Sequence, residues 1–300
     1  MFKEIAIEPE VMARWEWFLK LYDMFGYDKG MLLVEFPNCW RRQVIEIANI
    51  LIKQGVNQEI KVRSMVERLR DDRFKKCLFY RERTIGEFAT WIQRASSAQP
   101  PFDVIVGNPG SNSPSGMVTA DDFFWEDRRL QAKRYERIPR NATDLIKACE
   151  KMLLNSEEVR FIDRYFNPRK KEKRDPFVRL IDFLHDQNKA ARKIQIYTQL
   201  ILEEATPDDY RKILEHELPT GFSLEVFFLE KIDGGENLHP RFILTDLGGM
   251  QYDHGLDEGD GTSLVAILQS EMRTQLWGEY APGSKVFGRH PKYPSITLGR

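Results

Sequence analysis

The sequence predicts an α/β fold: a mixed sheet flanked by helices in the C-terminal part, together with an N-terminal α/β region. Short apolar runs of strand length alternate with longer segments whose apolar residues recur every three or four positions. Hydrophobic residues make up 42% of the 300 residues, which is enough for extended cores. A stretch rich in Gly, Pro, Ser and Asn over 107–118 predicts a linker or a long loop between the two regions.

The N-terminal region, residues 1–120, alternates predicted strands with predicted helices. The strands are expected at three apolar runs, 31–36, 76–80 and 102–106. The helices are expected at 40–53, where Gly55 supplies the stop signal, at 58–70 and at 86–95. Because strands and helices alternate along the chain, we expect a largely parallel sheet. The residues of this region predict no function of their own.

The second region, residues 121–300, is predicted to continue the alternation of strands and helices. Its strands are expected at 159–162, 193–197, 224–229, 239–246 and 249–254, the last two joined by a glycine turn. Helices are expected at 127–138 and at 263–277. Three further helices are expected to begin after the capping residues Asn141, Asp175 and Thr206, and Pro176 is the first helical residue after Asp175. This order of elements is typical of one α/β domain.

The composition excludes several classes of protein. A formal net charge of −1 argues against a general polyanion-binding protein. Cys39, Cys77 and Cys149 lack metal-ligand spacing and lie among apolar residues, so we expect buried free thiols. No apolar run approaches the roughly 20 residues that a membrane span requires, and the N-terminus lacks a signal-peptide pattern. We therefore expect a cytoplasmic protein without membrane insertion.

Charge is distributed unevenly along the chain. Residues 128–174 contain 15 Lys and Arg against 7 Asp and Glu, whereas residues 203–260 contain 4 against 15. The basic stretch is consistent with a nucleic-acid-binding face, and the two stretches together are equally consistent with solvated surfaces that attract each other. Composition leaves both interpretations open.

A candidate phosphate site lies in the segment 239–246, which reads His-Pro-Arg-Phe-Ile-Leu-Thr-Asp. Transfer of a phosphodiester through a histidine requires an imidazole nucleophile, a cation against the non-bridging oxygens and a group that orients them. Residues two apart on a strand point to the same face, about 7 Å apart, so His239 and Arg241 are expected to project together. Asp246 is the candidate orienting group. A buried core histidine is the alternative interpretation of His239.

This pattern resembles the H-x-K-x-x-x-x-D motif of the phospholipase D superfamily, with Arg241 in place of the lysine. Gly248-Gly249 and the segment 255–257 lie where that superfamily places a Gly-rich stretch, and the segment 158–166 is similar to the opening strand of such domains. The segment also resembles phospholipase-D-like domains with His-x-Arg that occur in bacterial anti-phage loci. The phospholipase-D-like domain that follows MIT domains in eukaryotic membrane-remodelling proteins, which binds lipid, looks related.

The resemblance implies chemistry that needs no metal and no cofactor. In an active enzyme His239 attacks phosphorus, Arg241 stabilises the oxyanions and Asp246 orients them, while a second subunit supplies the general acid because the chain carries one motif. The implied phosphate-binding residues are Arg241, Thr245, Gly248, Gly249, His254 and Asp257. The arginine departs from the family pattern, since it keeps the charge and offers a bidentate fork but not the compact ammonium of lysine.

Other residues near the motif have structural interpretations beside the functional ones. His254 is a candidate second acid or base, although an exposed turn histidine is the more usual role in such a position. Arg140 and Asp163, which the bacterial group shares, are expected to form a buried ion pair that joins two elements. The acidic loop 253–260 lacks the ligand spacing of an EF-hand, so no metal site is predicted.

The sequence therefore predicts one of two functions, and it does not distinguish an enzyme from a binding protein. The first is a component of a bacterial anti-phage defence system whose phospholipase-D-like domain, residues 121–300, cleaves or binds nucleic-acid phosphodiesters. The second is a non-catalytic scaffold that uses the same pocket to bind a phosphate group or a partner. Candidate partners are DNA or RNA, other proteins of the defence system and a second copy of the chain.

Overall fold

The structure is a computed structural model that describes residues 1–108, 116–120, 126–186, 193–232 and 241–299. The chain divides into two compact units, one from Phe2 to Lys133 and one that begins at Arg134. This division lies after Lys133, whereas the sequence predicts a boundary after residue 120. Each unit contains its own sheet and its own helices, and the larger sheet is mixed, so the predicted α/β fold is confirmed.

The N-terminal unit is built on a parallel sheet. Its strands are β1 (Lys3–Ile7), β2 (Met31–Val34), β3 (Leu78–Phe79), β4 (Val104–Gly107) and β5 (Val118–Thr119). Their order is β3-β2-β1-β4-β5, and every pairing is parallel, so the predicted parallel arrangement is confirmed. The central strand β1 is absent from the sequence prediction because Lys3 and Glu4 interrupt its apolar run.

Helices connect the strands of this unit and cover its sheet. They are α1 (Pro9–Met12), α2 (Trp15–Tyr22), α3 (Trp40–Lys53), α4 (Glu59–Arg70), α5 (Asp72–Cys77) and α6 (Trp91–Ser97). The predicted helices at 40–53 and 58–70 are confirmed as α3 and α4, whose apolar faces join one buried cluster with the sheet. The helix expected at 86–95 begins only at Trp91, because Thr90 caps it with a capping box.

Two predictions for residues 76–138 are wrong. The strand expected at 76–80 is reduced to β3, since α5 continues to Cys77. The helix expected at 127–138 is instead a short 3-10 turn, Arg128–Leu130, followed by β6 (Tyr135–Pro139) in the second unit. The Asp127 side chain accepts a hydrogen bond from the Arg129 N–H and so starts the turn. Residues 135–139 form a strand because they pair with another strand of the second unit, and not because of a local preference.

The C-terminal unit is built on a mixed sheet. Besides β6, its strands are β7 (Glu158–Ile162), β8 (Lys193–Gln199), β9 (Ser223–Glu230), β10 (Phe242–Thr245), β11 (Gly249–Tyr252), β12 (Thr262–Ile267), β13 (Gly288–Arg289) and β14 (Ser295–Gly299). Their order is β13-β9-β8-β7-β10-β11-β12-β6, and β14 also pairs with β9. β7, β8 and β9 are parallel, and the remaining pairings are antiparallel. The predicted hairpin is confirmed as β10–β11, in which Leu244 pairs with Gly249.

Side chains of this sheet pack on both of its faces. The helices of the unit are α7 (Ala142–Asn155), α8 (Lys171–Asp186), α9 (Pro207–Glu217) and α10 (Ser270–Glu279). Phe161 of β7 contacts Phe177 of α8 edge to face, with the ring centres 5.2 Å apart. The next residue, Ile162, points to the other face and belongs to a buried cluster with Tyr280 and Phe287, which follow α10. This alternation is the two-residue period of a strand covered on both sides.

Two helix predictions in the C-terminal unit are also wrong. The helix expected at 263–277 is divided into β12 and α10, because buried residues alternate at Ser263, Val265 and Ile267 while β12 pairs with β11 and β6. The helix expected to start at Asp175 begins earlier, at Lys171, and contains Pro176 in its second turn.

The three cysteines are free thiols, as predicted, but only Cys149 is fully buried. Cys39 and Cys77 are partly exposed. Burial raises the pKa of Cys149 to about 12, so this thiol stays protonated and packs as an apolar residue on the buried face of α7.

Candidate functional site

The register of the larger sheet brings Asp163 and Arg241 to the same edge. β7 ends at Ile162 and is followed by Asp163, whereas β10 begins at Phe242 and is preceded by Arg241. The two strands are antiparallel, and Ile162 pairs with Phe242. The residues just beyond this pair therefore meet at the carboxyl end of β7, which we call the site edge.

The loop 253–261 and Arg140 reach the site edge from the neighbouring strands. β11 ends at Tyr252, whose N–H donates to the Arg241 carbonyl at 2.9 Å, and the loop follows directly. β12 begins beyond the loop and pairs its first residue with Pro139, the last residue of β6, so that Arg140 follows at this edge. Antiparallel pairing thus collects residues that are far apart in the sequence.

Arg241 is held by three groups at the site edge. Its Nε lies 3.5 Å from Asp163 Oδ1, and its Nη1 donates to the Asp253 carbonyl. Its guanidinium carbon lies 5.0 Å from the centre of the Tyr165 ring. The side chain is 22% exposed, and Nη2 has no hydrogen-bond partner among the described residues. The Nε and Nη1 atoms of the guanidinium therefore contact the protein, while Nη2 is available to bind an anion from solvent.

Arg140 forms a second ion pair at the site edge, with Asp257. Its Nη2 donates to Asp257 Oδ1 at 2.9 Å, and both side chains are largely buried. Within the described part of the chain, Arg140 makes no ion pair with Asp163, in contrast to the expected structural pair; Asp163 pairs with Arg241 instead. The four side chains form two ion pairs rather than one, and the loop 253–261 lies against both.

The close approach of this loop depends on two glycines. A Cβ atom on Gly255 would lie 2.6 Å from Asp163 Oδ2 and 2.8 Å from Arg241 Cδ. A Cβ atom on Gly259 would lie 2.9 Å from the guanidinium carbon of Arg140. Only a residue without a side chain permits this backbone to pack so closely on the charged groups.

Asp163 is a largely buried carboxyl group, with its side chain 15% exposed. Burial raises the pKa of Asp163 above its ordinary value of 3.8, because loss of water outweighs the opposing effects of Lys173, the Tyr165 N–H and Arg241. The Tyr165 N–H donates to Asp163 Oδ1 at 2.9 Å.

A small cavity lies beside Asp163 and Arg241. Its volume is about 30 Å³, and its apolar walls include Phe161, Phe166, Phe177, Ile243 and Leu256. A cavity of this size holds roughly one or two water molecules and does not admit a phosphodiester. An anion therefore meets Arg241 at the protein surface.

Asp246 lies at the opposite edge of the sheet from Arg241. Along β10 the two residues are five steps apart, or roughly 17 Å, so Asp246 does not contact or orient Arg241. Its Oδ1 accepts hydrogen bonds from the backbone N–H groups of Glu157 at 2.9 Å and Glu158 at 3.2 Å. The carboxylate thus joins the hairpin turn to the start of β7.

Thr245, Gly248 and Gly249 also lie at that opposite edge. The Oγ1 of the buried Thr245 accepts hydrogen bonds from the N–H groups of Leu247 at 3.2 Å and Gly248 at 3.0 Å. A Cβ atom on Gly249 would lie 2.8 Å from Leu268 Cδ1. These three residues form and pack the hairpin turn, and their implied phosphate contacts stay a prediction.

Of the two histidines predicted at the site, only His254 lies within the described residues. His239 lies outside the described residues, so its expected projection together with Arg241 stays a prediction. His254 lies in the loop 253–261, with its side chain 45% exposed and its Nε2 3.8 Å from Asp253 Oδ2. Its neighbours Asp253 and Gly255 both lie against Arg241, so His254 belongs to the site edge.

Two residues at the site edge have no distinctive signal in the sequence. The Nζ of Lys173 lies 5.6 Å from the centre of the Tyr165 ring. Glu258 links two helices: its Oε1 accepts from the Ala142 N–H at 3.0 Å, and its own N–H donates to the Glu172 carbonyl at 2.8 Å. Each is one of many charged residues in its stretch, and only the fold distinguishes it.

The chemistry available at the site edge is that of a partly exposed guanidinium supported by buried charges. Within the described ranges, no group of three or more His, Cys, Asp or Glu side chains could hold a metal ion. In the same residues, no helix combines the length and the apolar character that a membrane crossing needs. A guanidinium of this kind suits paired carboxylate or phosphate oxygens.

No family model matches the chain, and no curated protein matches it. Among solved structures, the chain is similar to TrmBL2, described as an archaeal chromatin protein that shows a novel mode of DNA binding. The two are 16% identical, with a TM-score of 0.28, and the match covers 51% of this chain and 52% of that one. The chain thus spans about half the length of that structure, and a likeness at this level carries no argument about fold or function.

Proposed function

We propose that the C-terminal unit is a phosphate-recognising module of the phospholipase-D type that binds single-stranded nucleic acid without cleaving it. Arg241 contacts a backbone phosphate and Tyr165 stacks on a base. The observation that carries this proposal is the cluster of cations around the Tyr165 ring. The guanidinium carbons of Arg241 and Arg164 lie 5.0 and 5.2 Å from the ring centre, and Lys173 Nζ lies at 5.6 Å.

An exposed aromatic ring among cations is the combination that single strands bind. The Tyr165 side chain is accessible, with the residue 38% exposed. Stacking on such a ring supports a base of any sequence, while neighbouring cations neutralise the backbone. Because Arg241 is already held by Asp163 and Asp253, it loses little conformational freedom when it binds a phosphate.

Binding without cleavage is favoured by what surrounds Arg241. The cavity beside it is too small for a phosphodiester, and the expected orienting residue, Asp246, lies roughly 17 Å away along the strand. These features suit ground-state binding better than transition-state stabilisation.

The biological setting of the proposal comes from the resemblance described above. Bacterial phospholipase-D-like domains with His-x-Arg occur in anti-phage loci, so we place this module in a multi-protein defence complex. Its role there is to hold a nucleic-acid strand for other components.

The proposal is tested by fluorescence anisotropy with a labelled single-stranded DNA, the matching RNA and the duplex, in EDTA. We expect Arg241→Ala and Tyr165→Ala each to weaken binding of the single strands about tenfold, a loss of about 1.4 kcal/mol. Arg241→Ala should also reduce the slope of log K against log salt by about 0.7, the value for one phosphate contact on a single strand.

Arg211→Ala is the matched control. Arg211 is a half-exposed arginine of α9 that pairs with Glu215 at 3.6 Å, and its loss should change affinity less than about twofold. Equal effects of Arg241→Ala and Arg211→Ala, or no binding at low salt, would refute the proposal. Cleavage in EDTA that is lost in His239→Ala would establish the phosphodiesterase instead.

A further inference from the structure

A second cavity lies in the N-terminal unit, and nothing about it depends on the proposed role of Arg241. Its volume is about 400 Å³, and it is lined by residues that follow β2 and by residues that follow β3. This volume lies within the range of small-molecule sites. In parallel sheets the carboxyl ends of the strands are where ligands bind, and both of these strands end at the cavity.

The wall formed by residues 80–85 is preformed. The Arg83 side chain, 3% exposed, pairs with Glu4, which is 2% exposed. Arg83 also donates to the Pro100 carbonyl at 3.0 Å and lies 4.2 Å from the centre of the Phe102 ring. Because a buried ion pair and a stacked ring hold this segment, a ligand does not have to order it on binding.

Glu35 presents a carboxylate to the cavity. It directly follows β2, and its side chain is 20% exposed. Its Oε1 accepts a hydrogen bond from Arg41 Nε at 2.9 Å, whereas Oε2 accepts none from the described residues. A carboxylate in such a position after a parallel strand suits the hydroxyl groups of a ribose, which donate to it.

The remaining lining groups suit a heterocyclic base. Tyr80 is 57% exposed and lines the cavity together with Asn38, Arg81 and Gln99. An aromatic ring stacks on any planar base, and amide and guanidinium groups hydrogen-bond to its polar edge.

The turn between β1 and α1 argues against a phosphorylated ligand. Dinucleotide-binding sheets place phosphates there on a glycine-rich turn, but this chain has Glu8, Pro9 and Glu10. Glu8 Oε2 accepts hydrogen bonds from the Asn108 N–H at 2.7 Å and the Asn108 side-chain amide at 3.1 Å. The Glu8 carboxylate therefore lies just beyond the ends of β1 and β4, where such sheets place a phosphate, and it would repel a phosphate there.

We propose that this cavity binds a nucleoside that carries no phosphate, with Glu35 on the ribose hydroxyls and Tyr80 against the base. Calorimetry on the full chain with adenosine, guanosine, cytidine and uridine tests the proposal. At least one should bind with Kd below about 1 mM, and its 2′-deoxy and 5′-triphosphate forms should bind at least about tenfold more weakly.

Variants assign this binding to the cavity. Glu35→Gln and Tyr80→Ala should each weaken it at least about tenfold. Glu46→Gln is the control, because Glu46 is an exposed residue of α3 paired with Arg42, and it should change affinity less than about twofold. Tyr80 is exposed, so its variant decides the question even where Glu35→Gln fails to fold. Absence of binding at about 10 mM, a triphosphate that binds as tightly, or unaltered binding in Tyr80→Ala would each overturn the proposal.

Discussion

Gly255 is the residue on which the packing of the site edge depends most directly. Its φ of +79° lies in the left-handed region, and a Cβ atom there would meet Asp163 and Arg241 at less than 3 Å. The backbone conformation alone costs another residue about 1–2 kcal/mol. The steric conflict with the ion pair adds to this cost, so two separate effects act at one position.

We expect Gly255→Ala to lower the free energy of unfolding by about 2–4 kcal/mol and to weaken single-strand binding, because Arg241 must move. Gly261→Ala is the matched control: its φ is +82°, and a Cβ atom there meets nothing within 4 Å. It should cost about 1 kcal/mol and leave binding unchanged. Urea unfolding and anisotropy measure both effects, and equal results for the two variants would contradict this account.

At the scale of elements, Pro176 explains how the loop 253–261 attaches to α8. A proline has no N–H, so Pro176 cannot donate to the carbonyl of Glu172 four residues earlier. That carbonyl instead accepts a hydrogen bond from the Glu258 N–H at 2.8 Å. A residue that weakens the helix locally thus exposes an acceptor to which the loop binds.

Pro176→Ala should loosen the loop, because the substituted residue supplies an N–H that competes for the Glu172 carbonyl. We expect faster amide hydrogen exchange over residues 253–261, measured by mass spectrometry. Pro207→Ala is the control, since Pro207 is the first residue of α9, where an N–H has no partner within the helix. Unchanged exchange in Pro176→Ala would show that the loop is held by its other contacts alone.

At the scale of the whole molecule, each unit has its own sheet and its own buried cluster. The N-terminal cluster includes Leu130, which is 3% exposed, and Lys3 Nζ donates to the Arg129 carbonyl at 2.8 Å. The segment up to Lys133 is therefore part of the N-terminal unit, although the sequence places it in the second domain.

A fragment of residues 1–133 should fold cooperatively, whereas a fragment of residues 1–120 should be less stable by about 2–3 kcal/mol. The shorter fragment loses the burial of one leucine and the contacts of the 3-10 turn. Circular dichroism during thermal unfolding compares the two. Equal melting temperatures would mean that the boundary lies near residue 120 after all.

Elements with local signals could be predicted from the sequence. The helices α3, α4, α7 and α9 combine an apolar face with caps or charged ends, and each appears where the pattern places it. The strands β6 and β12 lie where the sequence predicts helices, because a strand is stabilised by partners that are distant in sequence. Leu264 and Ile267 have helical spacing, yet pairing with two neighbours makes their segment a strand.

The candidate site could be predicted only in part, for the same reason. The sequence singled out Arg241, Asp163, His254 and Asp257, which lie at the site edge, but it also grouped Arg241 with Asp246. Arg241 and Asp246 are only five residues apart in the sequence, yet in an extended strand this spacing places their side chains roughly 17 Å apart. Proximity in sequence therefore does not bring these two side chains together in space.

The order of apolar runs and capping residues by itself determined that this chain is an α/β protein with parallel strands at its N-terminus, because hydrophobic periodicity and capping act over a few residues. Only the tertiary structure decided that Asp163 pairs with Arg241 and Asp257 with Arg140, since the antiparallel registers of β7–β10 and β12–β6 set those neighbours. Ion pairing depends on distance in space, and that distance exists only once the strands have paired.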